Sequence, residues 1–159
     1  LMVGISQGAQ PLVSFQYGRE DHAACRKLLR YGLTTVSVLA PVLFVLIFLF
    51  APQIVRTYLS HASSELVEYS IHAFRRYSIS YLLVGFNIVI GGFLTALERP
   101  LPAISISVGR GLVLQSAVLL LFAAVFGGEA LWYTPILSEA MCLVLSLLFL
   151  RSYRREHSV

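Results

Sequence analysis

Four long apolar runs set the pattern of the chain. The first, YGLTTVSVLAPVLFVLIFLF, predicts a helix over 31–51. At 1.5 Å of rise per residue, ~20 residues cover about 30 Å, the hydrocarbon thickness of a bilayer. The second, in approximate outline SISYLLVGFNIVIGGFLTAL, predicts a helix over 77–98. AISISVGRGLVLQSAVLLLFAAVF predicts one over 101–127, ending at a glycine pair, and LWYTPILSEAMCLVLSLLFL one over 131–150. Pro41 lies near the middle of the first run, where its missing donor predicts a bend. Between the first two runs, charged and apolar residues interleave at helical spacing without an unbroken apolar stretch. That pattern predicts an interfacial connector over 52–76.

The N-terminal stretch, LMVGISQGAQPLVSFQYG, is apolar but interrupted. On a helix, Gln7, Pro11, Ser14 and Gly18 recur at spacings of four, three and four and so share one face, with Gln10 beside it. Gly4 and Gly8 form a GxxxG pair, which permits close approach of another helix. Pro11 frees a carbonyl, which at membrane depth requires cover by protein or a water-filled cavity. Residues 1–18 are therefore expected to be the end of a membrane helix, followed by a basic loop over 19–30. Because the chain begins inside a helix-like segment, a piece of a longer polypeptide is expected.

Composition makes lipid the main solvent. Hydrophobic residues are 57% of the chain, charged ones 13%, and the mean hydropathy is +0.78. A soluble globule would lack the polar surface to cover four such runs. The expected class is an all-α, polytopic helical membrane protein. Arg19, Arg26, Lys27, Arg30, Arg99, Arg151, Arg154 and Arg155 fall on one side of the predicted spans, and Arg56, Arg75 and Arg76 on the other. The positive-inside rule makes the first side cytoplasmic, with the 151–159 tail there and the 52–76 connector outside, in a multi-pass protein of the cell (inner) membrane. The net charge of +4 points to anionic membrane lipid, and no aromatic-basic pattern suggests nucleic acid. Cys25 and Cys142 read as unpaired thiols, and the histidines have no metal-site spacing. No cluster of His, Asp or Cys suggests an enzyme or a resident cofactor.

Polar residues at membrane depth carry the functional signal. Glu139 stands about eight residues into the last run, roughly 12 Å deep on the helix rise. A carboxylate there costs on the order of 3 kcal/mol unless it meets water, a partner or a proton. It marks either an ion or proton path or a bond that holds helices together. Arg110, inside the third run, is either its counter-charge or a side chain that snorkels to the interface. Asn87 and Gln115 add polar groups on successive spans.

The segment GISQGAQPLVSFQYG resembles the glycine-glutamine-glycine, glutamine-proline, serine, tyrosine-glycine pattern that opens the second helix of the C-terminal half in multidrug and toxic compound extrusion (MATE) transporters. The Arg75-Arg76 pair, the ALERPLPA turn, Arg110 after Ser105 and Ser107, and FGGEALWYTPILSEAMCLVLS follow in the family's order. This resemblance implies twelve helices in two six-helix repeats, of which the chain supplies the end of helix eight through helix twelve. It implies efflux of organic cations or drugs by antiport with sodium ions or protons. The N-terminal six-helix bundle of the same polypeptide would be its partner. Gln115-Ser116 stands where many relatives have a proline, and Glu129-Ala130 where they have a glycine. Gln7, Gln10, Asn87 and Glu139 are the candidates for the substrate and ion pathway; Gly4, Gly8, Pro11 and Pro41 are those for packing or bending. A lipid-linked oligosaccharide flippase of the same superfamily is the alternative, which would be expected to carry more cationic residues in its cavity than Arg110.

Overall fold

The computed structural model describes residues 1–156. They form α1 (Met2–Gly18), α2 (His22–Tyr58), α3 (Ser64–Ser78), α4 (Tyr81–Ala96), α5 (Pro100–Val108), a π-helical turn (Gly109–Val113), α6 (Leu114–Val125), a 3-10 turn (Gly128–Tyr133) and α7 (Thr134–Glu156). There is no strand among the described residues, in agreement with the all-α expectation. Three helical stretches are long and apolar enough to cross a membrane: His22–Tyr58, Pro100–Val125 and Ala130–Arg155. α3 and α4, bent by 41° at the break between them, are long and apolar enough to cross only if the two are taken together.

Helix extends well into the segments expected to lie between the spans. The basic loop over 19–30 shrinks to a turn at 19–21, because the Asp21 carboxylate accepts the Ala24 N–H at 2.8 Å and caps α2. From there Cys25, Leu29, Gly32, Val36 and Ala40 are all buried, at helical spacing, so the buried stripe of the span begins inside the basic segment. The connector over 52–76 is also mostly helical. α2 continues through Pro41 and Pro52 to Tyr58, and α3 starts after Ser63, whose hydroxyl accepts the Leu66 N–H. An amphipathic pattern with many charges still satisfies its own backbone, and that suffices for a helix. The tail is helical through Glu156; residues 157–159 lie outside the described residues.

α4 is the centre of the bundle and packs against α1, α2, α5 and α7. Its glycines make this possible. A side chain at Gly85 would strike Met2 and Val36, and one at Gly92 would strike Ser6 and come within 3.0 Å of Gln10 Nε2. Gly32 of α2 receives Val89 in the same way. The pair expected to pack closely, Gly4 and Gly8, has open space around both positions. The close approach between α1 and α4 is supplied from the α4 side.

Two serines fix the relation of α1 to α4. Ser6 Oγ donates to the Ile88 carbonyl at 3.1 Å, and Ser14 Oγ to the Ala96 carbonyl at 3.0 Å. Both bonds join positions 82 apart, so the two helices run parallel. They also end alike: Glu20 and Glu98 take left-handed conformations (φ 60° and 56°), and the chain turns back through bonds from Asp21 N to Gln16 O and from Arg99 N to Leu94 O. These are paired Schellman caps in which glutamate replaces the usual glycine. Near that end, Val13, Cys25, Leu29, Phe93, Leu97, Leu150 and Tyr153 share one apolar cluster. The start of α2 and the ends of α1, α4 and α7 therefore lie together, as the span order requires.

Candidate transport cleft

Asn87 occupies the middle of α4 and is 1% exposed. A buried amide must find partners. Asn87 Nδ2 donates to the Glu139 side chain at Oε2 (2.8 Å) and to the Glu139 carbonyl (3.0 Å), and Ser146 Oγ donates to Asn87 Oδ1 at 3.0 Å. The other Glu139 oxygen, Oε1, lies 3.6 Å from Arg110 Nη1. Arg110 does not simply snorkel away. It is the counter-charge of Glu139.

The π-helical turn at Gly109–Val113 contains Arg110. Such a turn inserts an extra residue into the helix and rotates the residues beyond it, and it occurs often at functional sites. The glycines on either side of Arg110 are the sequence signal that reasoning from helical periodicity alone passes over. Gln115, just beyond the turn, accepts from Ser138 Oγ at 2.6 Å and gives α6 and α7 a second polar tie.

A cleft of about 240 Å³ lies beside this network, between α1, α4 and α5. Gln7 and Gln10 line it from α1, Asn87 from α4, and Ser107 and Arg110 from the third span. Glu139 stands behind the cleft wall, bonded to two of the lining residues. Thus four of the five residues singled out for pathway or counter-charge roles meet in one cavity, and the fifth is bound to it. Pro11 is exposed on the same helix, one turn from Gln7, the residue whose carbonyl its ring deprives of a helical donor. Pro41 is also exposed, on α2, and is not among the lining residues of the cleft.

Residues 1–127 match the MatE family model. The chain belongs to the MatE family. No curated protein and no solved structure matches it. Membership makes it a multi-pass membrane protein and a transporter of the MATE superfamily, as the N-terminal motif and the spans led one to expect. The MatE match covers every cleft-lining residue and stops before α7, so Glu139 and Ser146 lie beyond it.

Proposed function

We propose that this MatE protein exports organic cations or drugs by antiport, with Glu139 as the group at which the coupling proton or sodium ion acts. One observation carries the reading: a carboxylate in the second turn of α7 is buried between an amide and a guanidinium, and that guanidinium lines the adjoining cleft.

The chemistry is a competition. With Glu139 ionised, its charge and that of Arg110 sum to about zero, and the cleft with its two glutamines accepts a cationic molecule. When a proton or sodium ion neutralises Glu139, Arg110 is left uncompensated beside the cleft. A monocation about 7 Å away, at an effective dielectric near 20, then meets about 2 kcal/mol of repulsion, roughly a thirtyfold loss of affinity. Coupling ion and substrate therefore favour different states, which is the thermodynamic requirement for exchange. In this reading the open side of the cleft faces the N-terminal six-helix bundle of the same polypeptide. The protein lies in the inner membrane with its C-terminus in the cytoplasm, consistent with the distribution of Lys and Arg.

The test is Glu139→Gln in the full-length transporter, reconstituted in vesicles with an imposed proton or sodium gradient. Efflux of tetraphenylphosphonium should fall at least about tenfold, and its binding should no longer respond to pH or sodium. Undiminished gradient-driven efflux would remove Glu139 from the coupling mechanism.

A further inference from the structure

α3 rests on α2 with little buried surface. Of its 15 residues only Ala73 and Ser78 are buried. A cavity of about 670 Å³ lies along one side of it, lined by Glu68 and His72 of α3 and Arg56 of α2. Another, of about 540 Å³, lies along the other side, lined by Phe74 of α3, Tyr58 of α2 and Trp132. A helix with few buried apolar contacts and open space on both flanks separates at low cost, so the bonds that hold it matter individually.

The principal bond answers a defect in α2. Pro52 has no N–H, so the carbonyl of Phe48, four residues before it, lacks its helical donor. Arg75 of α3 supplies one. Its Nε donates to the Phe48 carbonyl at 3.3 Å, and its guanidinium lies over the Phe48 ring, 4.8 Å from the centroid. Pro52 and Arg75 both line the larger cavity, so this bond borders open space. Two further ties reach the 3-10 turn: Trp132 Nε1 donates to Tyr69 Oη at 2.9 Å, and Arg76 lies over the Tyr133 ring at 5.6 Å.

Beyond these ties α3 ends at Ser78, and the chain bends by 41° before α4 begins at Tyr81. The polar groups of the bend are satisfied within it. Ser78 Oγ donates to the Arg75 carbonyl at 2.7 Å and Ser80 Oγ to the Tyr77 carbonyl at 2.8 Å, and the Ile79 and Ser80 N–H groups bond to the Arg76 and Tyr77 carbonyls. The bend can therefore flex without stripping a neighbouring helix of its partners.

We propose that α3 is a strap that swings away from α2 about the break at 79–80, and that Arg75 latches it shut on the carbonyl that Pro52 leaves open. Opening would merge the two flanking cavities into one passage at the Tyr58 end of the bundle. The strap is separate from the transport cleft and does not rest on the antiport reading.

Hydrogen–deuterium exchange of the full-length protein, read by mass spectrometry over peptides of α2, α3, α4 and α7, tests it. Arg75→Gln should speed exchange in α3 about tenfold, the equivalent of one charge-assisted hydrogen bond, and leave α4 and α7 unchanged. Pro52→Ala gives α2 its own donor for the Phe48 carbonyl, which Arg75 must then share. Exchange should slow in α2 around this position and, on the other helix, speed up in α3. Arg75→Gln added to Pro52→Ala should accelerate α3 little further, because the two changes break the same latch. Arg56→Gln, in the wall of the same cavity, should leave α3 at the wild-type rate. If Arg75→Gln speeds exchange in every helix, the fold itself has loosened, and Pro52→Ala decides alone. Unchanged α3 exchange in Pro52→Ala, or in a folded Arg75→Gln, would overturn the proposal, as would full additivity in the double variant.

Discussion

Asn87 holds both ends of Glu139: its amide donates to the side-chain carboxylate and to the backbone carbonyl of the same residue. One α4 side chain therefore fixes the register of α7 and the direction of its carboxylate together. Asn87→Ala leaves the Glu139 oxygen and the Ser146 hydroxyl without their partner in a buried site. The expected loss is about 1–3 kcal/mol of stability, read as a lowered unfolding temperature in detergent. Asn87→Ala unfolding at the wild-type temperature would show that the network is not structural.

The Arg110–Glu139 pair should be strongly non-additive. Removing one partner leaves a charge with nothing to balance it, whereas neutralising both removes the problem. Arg110→Gln should destabilise the fold more than Arg110→Gln combined with Glu139→Gln. Denaturation midpoints of the two single variants and the double variant measure this, and simple additivity would mean that the ions act independently.

The glycines make opposite predictions on facing helices. Gly92→Val drives a branched side chain into Ser6 and Gln10, and overpacking of this kind costs about 1–3 kcal/mol. Gly8→Ala enters open space, and the helical preference of alanine should leave stability unchanged or raise it by up to about 1 kcal/mol. Thermal unfolding of the two variants side by side decides between them.

Thiol accessibility separates cleft from core. Cys25 and Cys142 are fully buried, each with its thiol directed at a carbonyl of another helix, those of Val13 and Ile106. Neither should react with a membrane-impermeant maleimide before denaturation. A cysteine introduced at Gln7, in a background lacking both, should react readily through the cleft. A Gln7→Cys variant as inert as the native thiols would mean that the cleft is closed to water.

Thr134 at the start of α7 is fully buried, and its hydroxyl has no hydrogen-bond partner among the described residues. Valine has nearly the same shape without the polar atom. Thr134→Val should therefore raise the unfolding temperature, by the equivalent of about 1 kcal/mol. A drop would reveal a partner for the hydroxyl.

The spans were legible because each apolar run is about as long as a bilayer is thick, and because Glu139, Arg110 and Asn87 are side chains that hydrocarbon rejects. Which of them touch was not legible, since the contact of α4 with α7 joins residues 52 positions apart and depends on how the helices rotate. The π turn that carries Arg110 breaks the regular period from which rotation is inferred. Gly4 and Gly8 drew attention as a motif, yet the partner face decides which glycines matter, and α4 carries Gly85 and Gly92 where α1 brings Met2 and Ser6. The start of α2 within 19–30 was not legible because charge was read as loop, and over 52–76 the helical spacing was legible but the bounds of α2 and α3 were not. Asp21 and Ser63, both ordinary capping residues, held the better clue.

The matched offsets of the Ser6 and Ser14 bonds have a mechanical meaning. Sliding or tilting α1 along α4 strains both links at once, and each sits where a glycine or small residue has already brought the backbones close. α1 and α4 thus behave as one stiff beam. Any rocking of this half is then taken up at its joints, among them the 41° elbow where α3 hands over to α4.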